Sequence, residues 1–158
     1  MISCIIIEDE PLAIDKMMDY ISKLPNFELL DSFQSAISAI DYLKNNDVDL
    51  IFLDIEMKDL TGIQFLEYIN VNSKVIITTA YEQYAIKGFD LQVSDYLLKP
   101  ITFERFTQAC GKVNEELILT KNTHRTDKIF VKTEYRLEGI DTSEILYIEG
   151  MGDYRRIV

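Results

Sequence analysis

The stretch Val48–Gly62 reads VDLIFLDIEMKDLTG, and the rest of the chain is organised around it. It contains an unbroken apolar run, Leu50 to Leu53, which is typical of a parallel strand covered on both faces. The run ends at Asp54, so a carboxylate lies at the carboxyl end of the predicted strand. Because open α/β sheets bind their ligands at that edge, we expect Asp54 to lie in a functional site.

Four other apolar segments predict further strands on either side of this one. They are Ile2–Ile7, Phe27–Phe33, Lys74–Thr79 and Asp95–Leu98, and the alternation in Phe27–Phe33 predicts the most exposed strand of the set. A helical pattern follows every strand. Strict alternation of five strands with five helices predicts a doubly wound parallel α/β sheet, with the flavodoxin-like strand order as the commonest choice at this size.

The helices are predicted from their caps and their apolar spacing. Pro11 begins the first helix, which carries Ala13, Met17, Tyr20 and Leu24, and Ser35 caps the second, whose Ile37, Ile40 and Leu43 are expected to face inward. Thr61 caps the third helix, which carries Ile63, Leu66 and Ile69, and the fourth spans roughly Glu82 to Phe89. Thr102 caps the last, with an apolar stripe of Phe103, Phe106, Cys110, Val113 and Leu117.

Charge divides the chain into two parts. Residues 1–120 hold 9 Lys and Arg against 20 Asp and Glu, a net of −11, whereas residues 121–158 hold 7 of each. We predict one domain over residues 1–120, a polar linker over 121–127 and a partial all-β segment over 128–158. Short strands are expected there at Lys128–Lys132, Arg136–Ile140 and Ile145–Glu149, with another starting at Asp153. Because duplex binding requires neutralised phosphates, the acidic part is a poor candidate for DNA binding.

No apolar run of the sequence is long enough for a membrane span, and no signal peptide is recognisable at the amino terminus. We therefore expect a cytoplasmic protein with no membrane partner. The two cysteines, Cys4 and Cys110, fit no metal-ligand spacing and are expected to be buried and reduced.

Polar residues end the predicted strands and should meet at one edge of the sheet. They are Glu8 and Asp9 after the first strand, Asp54 on the third, Thr79 on the fourth and Lys99 after the fifth. Crowded carboxylates repel one another by roughly 4 kcal/mol per close pair at 4 Å, so a cation is needed there, and Mg²⁺ suits oxygen ligands of this kind. The set also suits phosphoryl transfer, with Asp54 as nucleophile and with Mg²⁺, Lys99 and Thr79 holding the phosphoryl oxygens.

Four motifs in order resemble the receiver domain of two-component response regulators. They are Glu8-Asp9, LDIEM around Asp54, TTAY around Thr79 and DYLLKP around Lys99. The wording is most similar to the LytTR group, and the tail, with FVKT at Phe130–Thr133 and ILYIEGMGDY at Ile145–Tyr154, resembles the opening of a LytTR DNA-binding domain. Two residues depart from the family pattern, Lys58 in place of the usual Pro and Thr61 in place of a frequent Asp or Asn.

This resemblance implies a role for each motif residue. Asp54 would be the phosphoacceptor, Lys99 the phosphoryl contact, and Thr79 with Tyr96 the switch pair. Glu8, Asp9, Asp54 and the backbone carbonyl of Glu56 would bind Mg²⁺. The protein would then be no enzyme in the usual sense, since its only chemistry is its own phosphorylation and dephosphorylation.

The resemblance also implies partners. A sensor histidine kinase would donate the phosphoryl group, because no motif supplies a donor histidine and His124 lies in the predicted linker. Phosphorylation would promote a homodimer through the face formed by the fourth helix, the fifth strand and the last helix. Transcriptional control through DNA would require the complete output domain, so we expect no specific DNA binding by residues 1–158.

Two alternative functions use similar features. A flavodoxin-like binding protein would hold a phosphate in the first loop, where Glu8-Asp9-Glu10 would repel it. An aspartate-nucleophile phosphatase of the haloacid dehalogenase type carries its nucleophile on the first strand of its fold, whereas Asp54 ends the third.

Overall fold

The computed structural model describes residues 1–69, 72–82, 92–123, 128–132, 137–141, 146–151 and 154–157. The chain forms two compact units, Met1–Glu115 and Glu116–Val158. The strands of the first unit are β1 (Ile2–Ile7), β2 (Phe27–Phe33), β3 (Leu50–Asp54), β4 (Lys74–Thr79) and β5 (Asp95–Leu98). They form one parallel sheet in the order β2-β1-β3-β4-β5, which confirms the predicted flavodoxin-like topology.

The described helices are α1 (Pro11–Ser22), α2 (Ala36–Leu43), α3 (Gly62–Tyr68) and α4 (Phe103–Thr123). Of the helix predicted over Glu82–Phe89, only Glu82 lies within the described residues. The predicted caps are present: Ser35 accepts from the Ser38 N–H, Thr61 forms a capping box with Gln64, and the Thr102 hydroxyl accepts from the Arg105 N–H.

Burial follows the position of each strand in the sheet. All five residues of β3 are buried, because this strand is central and helices cover both faces, whereas β2 is an edge strand with several exposed residues, as predicted. On one face, Ile5, Leu53 and Ile77 belong to a continuous apolar core with Phe65 of α3. Phe52 lies on the alternate side of β3 and stacks on Phe106 of α4, with 5.0 Å between ring centroids.

The prediction that Ile37 faces inward is wrong, since its side chain is 56% exposed. Ala36 and Ala39 are the buried residues of α2, and their small side chains fill the inward positions instead. In α4 the predicted stripe is confirmed at Phe106, Cys110 and Val113, all buried, while Leu117 is half-buried and Phe103 is partly exposed.

Helix α4 extends to Thr123, three residues into the predicted linker, whose remaining residues 124–127 lie outside the described residues. The segment Thr120–Thr123 is polar but contains neither Gly nor Pro, so nothing in it ends a helix. Both cysteines are free and buried, as expected, and burial raises the pKa of each thiol to about 12.

The second unit contains two antiparallel strand pairs. Strands β6 (Lys128–Lys132) and β7 (Leu137–Asp141) pair with each other, as do β8 (Ile148–Met151) and β9 (Tyr154–Ile157). The prediction for β6 is confirmed, and β7 is one residue later than predicted. Strand β8 begins three residues later than predicted, since Leu146 and Tyr147 are exposed and outside any strand.

Candidate functional site

The parallel sheet brings the predicted site residues to one edge. Residue Ile7 of β1 is level with Leu53 of β3, so Glu8 and Asp54 follow at the same height. Thr79 is level with Leu98, and the backbone N–H of Lys99 donates to the Thr79 carbonyl oxygen at 2.8 Å. Strand register alone therefore aligns the carboxyl ends of four strands.

Three carboxylates form the centre of this edge. Glu8, Asp9 and Asp54 each offer an oxygen atom, and these atoms all lie within 4.8 Å of one another. Glu8 is fully buried, Asp54 is 3% exposed and Asp9 is half-buried. The predicted metal-binding carboxylates are thus brought together, largely removed from water.

Lys99 is the cation that faces this cluster. Its Nζ lies 2.7 Å from Glu8 Oε2 and 3.4 Å from Asp54 Oδ2. Because β3 and β4 separate β5 from β1, the side chain must extend across the ends of two strands to reach Glu8. Burial disfavours its charge, but the contacts with Glu8 and Asp54 outweigh burial, so the pKa of Lys99 is raised.

One lysine does not balance the carboxylates. Burial raises the pKa of Glu8 to about 7, the hydrogen bond from Lys99 opposes that shift, and the charge of Asp54 adds to it. Burial and the neighbouring carboxylate thus both disfavour the charged form of Glu8, and a bound cation would favour it. Clustered carboxylate oxygens are the hard donors that Mg²⁺ prefers, so the residues present fit that ion.

The loop after Asp54 is held against the end of β3. The Glu56 N–H donates to Asp54 Oδ1 at 3.3 Å, and the Gly62 N–H donates to the Ile55 carbonyl oxygen at 2.9 Å. A Cβ added at Gly62 would lie 2.5 Å from the backbone oxygen of Asp54, so only glycine fits there. The Glu56 side chain is exposed, and the metal-binding role of its carbonyl stays a prediction.

The predicted switch residues lie on the neighbouring strands β4 and β5, where Tyr96 is level with Ile77, two residues before Thr79. The Thr79 hydroxyl accepts from the Tyr81 N–H at 3.1 Å, and the Tyr96 ring packs against the core cluster. Within the described part of the chain the Tyr96 hydroxyl is buried without a hydrogen-bond partner, and burial raises its pKa. Both residues line one cavity of about 290 Å³, whose wall also includes Arg105.

Two features of this region were missed by the sequence analysis. Arg105 of α4 forms a bidentate ion pair with Asp95, at 2.9 and 2.7 Å, and also donates to the Tyr96 carbonyl oxygen at 2.9 Å. Thr78 is fully buried beside Asp54, and its hydroxyl has no partner among the described residues. Asp95 and Arg105 are ten residues apart, and no local sequence pattern predicts that they pair. Thr78 could have been found, because side chains alternate along a strand and Thr78 must therefore lie on the face opposite to Thr79.

None of the helices in the described ranges has both the length and the apolarity needed to cross a bilayer.

Comparison with known proteins identifies the first unit. The family described as response regulator receiver domain matches residues 4–110. The sensory transduction protein LytR of Staphylococcus saprophyticus is 32% identical over 149 residues, which cover 92% of this chain and 59% of that relative. A match of this extent includes part of residues 128–158, and the chain spans about half the length of the curated relatives it matches.

Solved structures agree with the fold. The response regulatory domain of protein mrkE from Klebsiella pneumoniae is 28% identical, with a TM-score of 0.66 over 73% of this chain and 97% of that one. The response regulator protein TrrA from Thermotoga maritima, in complex with Mg(2+)-BeF, is 22% identical, with a TM-score of 0.63 over 72% of this chain and 99% of that one. By its sequence and its topology, this chain belongs to the family of response regulator receiver domains.

Proposed function

We propose that this chain is the phosphoacceptor part of a two-component response regulator and that Asp54 accepts the phosphoryl group. One observation carries the proposal: Asp54 ends the central strand, is almost completely buried, and lies between Lys99 and two further carboxylates. An isolated loop aspartate would be exposed and would need no such partners.

In the proposed reaction, a carboxylate oxygen of Asp54 attacks the phosphorus atom of a phosphohistidine on a sensor kinase. The new O–P bond forms as the P–N bond breaks, and the imidazole leaves with the electron pair of that bond. The product is an acyl phosphate on Asp54. Lys99 neutralises one phosphoryl oxygen, and the Thr79 hydroxyl donates to another.

We assign Glu8, Asp9, Asp54 and the Glu56 carbonyl oxygen as ligands of Mg²⁺. When bound, the ion supplies positive charge to the phosphoryl oxygens during transfer. Two observations support this assignment, the clustered carboxylate oxygens and the raised pKa of Glu8. That the related TrrA structure contains Mg(2+)-BeF is consistent with it.

The test is the intact mass of the protein after incubation with acetyl phosphate and Mg²⁺. The wild type is expected to gain one phosphoryl group, and Asp54→Asn is expected to gain none. Asp59→Asn is the matched control, because Asp59 lies five residues away in the same loop and contacts Ser35 rather than the carboxylate cluster. Undiminished labelling of Asp54→Asn would refute the assignment of the phosphoacceptor.

The metal site has a separate test, in which Asp9→Ala should weaken Mg²⁺ binding.

Phosphorylation is proposed to act through the Thr79 and Tyr96 pair. Movement of the Thr79 hydroxyl toward the phosphoryl group would break its hydrogen bond with the Tyr81 N–H and open space beside the Tyr96 ring. The face made by the predicted Glu82–Phe89 helix, β5 and α4 would then change shape and form a homodimer. Sedimentation with and without a phosphoryl analogue tests this, and an unchanged mass would count against it.

The output is proposed to be transcriptional control in the cytoplasm. Similarity to LytR extends into residues 128–158, and the matches cover only 50–59% of the length of these curated relatives. DNA binding is therefore assigned to a complete output domain of which these residues form only a part. Neither alternative function gains support, since Glu8 and Asp9 fill the place where a flavodoxin-like protein would hold phosphate.

A further inference from the structure

The hydroxyl of Thr78 lies beside Asp54 and has no role in the proposed reaction. Thr78 is fully buried, and its Oγ1 makes no hydrogen bond with any residue in the described part of the chain. A buried hydroxyl without a partner is destabilising, so such a group calls for a physical explanation.

The strand register places Thr78 directly beside the phosphoacceptor. Asp54 pairs with Thr78 across β3 and β4, and the Ile55 N–H donates to the Thr78 carbonyl oxygen at 3.2 Å. Leu53 and Ile77, the preceding residues of the two strands, both face the same apolar core cluster. Because side chains alternate along a strand, Asp54 and Thr78 share the opposite face.

Adjacent strands lie roughly 4.8 Å apart, a separation that a threonine hydroxyl and an aspartate carboxylate can bridge. Rotation about χ1 of Thr78 changes the direction of the hydroxyl without moving the backbone. The neighbouring hydroxyl, on Thr79, lies on the other face and is already bonded to the Tyr81 N–H. Thr78 is therefore the hydroxyl of β4 that can reach the Asp54 carboxylate from within the core.

We propose that Thr78 is a positioning residue of the phosphoacceptor site, whose hydroxyl donates a hydrogen bond to one carboxylate oxygen of Asp54 during phosphoryl transfer. This inference rests on the proposed function of Asp54. A donor on one oxygen fixes the plane of the carboxylate, which leaves the other oxygen aligned for attack on phosphorus.

The decisive variant is Thr78→Val, which replaces the hydroxyl with a methyl group of similar size. Since the hydroxyl has no hydrogen-bond partner among the described residues, its removal should leave the thermal midpoint unchanged or raise it. The maximal rate of Asp54 phosphorylation by acetyl phosphate should nevertheless fall by about tenfold, as loss of one hydrogen bond to a charged group implies. The acetyl phosphate concentration at half-maximal rate should stay near that of the wild type.

Thr78→Ser provides the opposite combination. It keeps the hydroxyl but leaves a small cavity, so its thermal midpoint should fall while its phosphorylation rate stays within about twofold of the wild type. Ile76→Val, on the same strand and face, is the packing control and should lower stability without changing the rate. If Thr78→Val folds poorly, Thr78→Ser is compared with Thr78→Ala, and the serine variant should react about tenfold faster.

The inference would be overturned if Thr78→Val were phosphorylated at the wild-type rate. It would also be overturned if the phosphorylation rates of the four variants simply fell in the order of their thermal midpoints. Either result would leave the proposed function intact, provided that the wild type is labelled on Asp54. Failure of the wild type to accept any phosphoryl group would instead refute the proposed function itself.

Discussion

Lys99 shows how a single side chain stabilises the resting site. Its ammonium group lies between Glu8 and Asp54, two buried carboxylates that water does not solvate. Removing one partner of a buried ion pair leaves the other charge uncompensated, which is far more costly than losing an exposed pair. Because Glu8 can take up a proton, part of that cost is avoided in this site.

We predict that Lys99→Met lowers the free energy of unfolding by about 2 kcal/mol at neutral pH in the absence of divalent metal. Adding Mg²⁺ should reduce this loss, since a bound cation stabilises the folded state and replaces the missing charge. Urea denaturation with EDTA and with Mg²⁺ measures both effects. The control is Lys44→Met, because Lys44 pairs with Asp41 on the surface and should contribute under 1 kcal/mol. Equal losses for both variants would contradict the argument.

Gly62 is a second residue whose importance depends on one contact. Any side chain there would place Cβ 2.5 Å from the Asp54 carbonyl oxygen, a backbone atom that has no freedom to rotate away. The start of α3 would have to move, and the loop that orients the Asp54 carboxylate would move with it.

We predict that Gly62→Ala destabilises the protein by about 3 kcal/mol and slows phosphorylation of Asp54. Gly111→Ala should have the opposite effect on stability, a gain of about 0.5–1 kcal/mol, because Gly111 lies within α4 and a Cβ there meets nothing within 4 Å. Thermal unfolding of the two variants provides the comparison. A Gly62→Ala protein as stable as the wild type would show that the helix start can shift without cost.

The residues that the sequence could predict are those at the ends of apolar runs. Asp54, Glu8 and Lys99 each follow such a run, so the sheet rule alone places them together, and the structure confirms that placement. Thr78 was not predicted, because the absence of a hydrogen bond is visible only when every neighbouring group has a position. The error at Ile37 has a similar origin, since hydrophobicity alone does not distinguish it from the buried Ala36 and Ala39.

At the scale of elements, β5 and α4 are joined by one ion pair with three hydrogen bonds. Arg105 holds both carboxylate oxygens of Asp95 and the carbonyl oxygen of Tyr96. Burial works against the charge of Asp95, but the hydrogen bonds from Arg105 outweigh it and lower the pKa of that carboxyl. This contact restrains the backbone that carries Tyr96.

We predict that Asp95→Asn lowers the free energy of unfolding by about 1 kcal/mol at pH 7, a modest value because Arg105 is partly exposed. A carboxyl group with a lowered pKa contributes stability above its unfolded pKa and loses it as the pH falls through the folded value. The difference in the free energy of unfolding between wild type and variant should therefore be largest at pH 6–7. It should disappear as the pH falls below about 3.9, the ordinary pKa of an aspartate.

Urea denaturation across that pH range measures the effect. Asp41→Asn is the matched control, since Asp41 also pairs with one cation but is largely exposed, and its difference from the wild type should stay below that of Asp95→Asn throughout. A gap for Asp95→Asn that persists unchanged in acid would show that the pair acts through packing rather than charge.

Element boundaries were predictable where the sequence carries a cap or a break. Ser35, Thr61 and Thr102 mark helix starts that the structure confirms, because their side-chain oxygens accept from backbone N–H groups that would otherwise lack partners. The end of α4 was not predictable from polarity, since Thr120–Thr123 is hydrophilic and still helical. The apolar run that predicted β8 starts before the strand does, and its residues Leu146 and Tyr147 are exposed. Hydrophobicity alone therefore placed the start of this strand too early.

At the scale of the whole molecule, the two parts of the sequence differ in net charge. The net charge of −11 resides entirely in residues 1–120, while residues 121–158 are neutral overall. A protein binds duplex DNA largely by releasing counterions as its cations neutralise phosphates, and an acidic chain lacks that contribution. Residues 128–158 hold 5 Lys and Arg against 6 Asp and Glu, so they lack the excess of basic residues that is typical of a DNA-binding module.

We predict that residues 1–158 do not bind a promoter duplex specifically at physiological salt, and that lowering the salt does not produce strong binding. Fluorescence anisotropy of a labelled duplex tests this, with an unrelated duplex of equal length as the control for specificity. Because the matches cover only 50–59% of the length of these curated relatives, a protein of their full length is expected to bind where residues 1–158 do not. Sub-micromolar, sequence-selective binding by residues 1–158 would contradict the prediction and would place the DNA-contacting surface within the short strands β6 to β9.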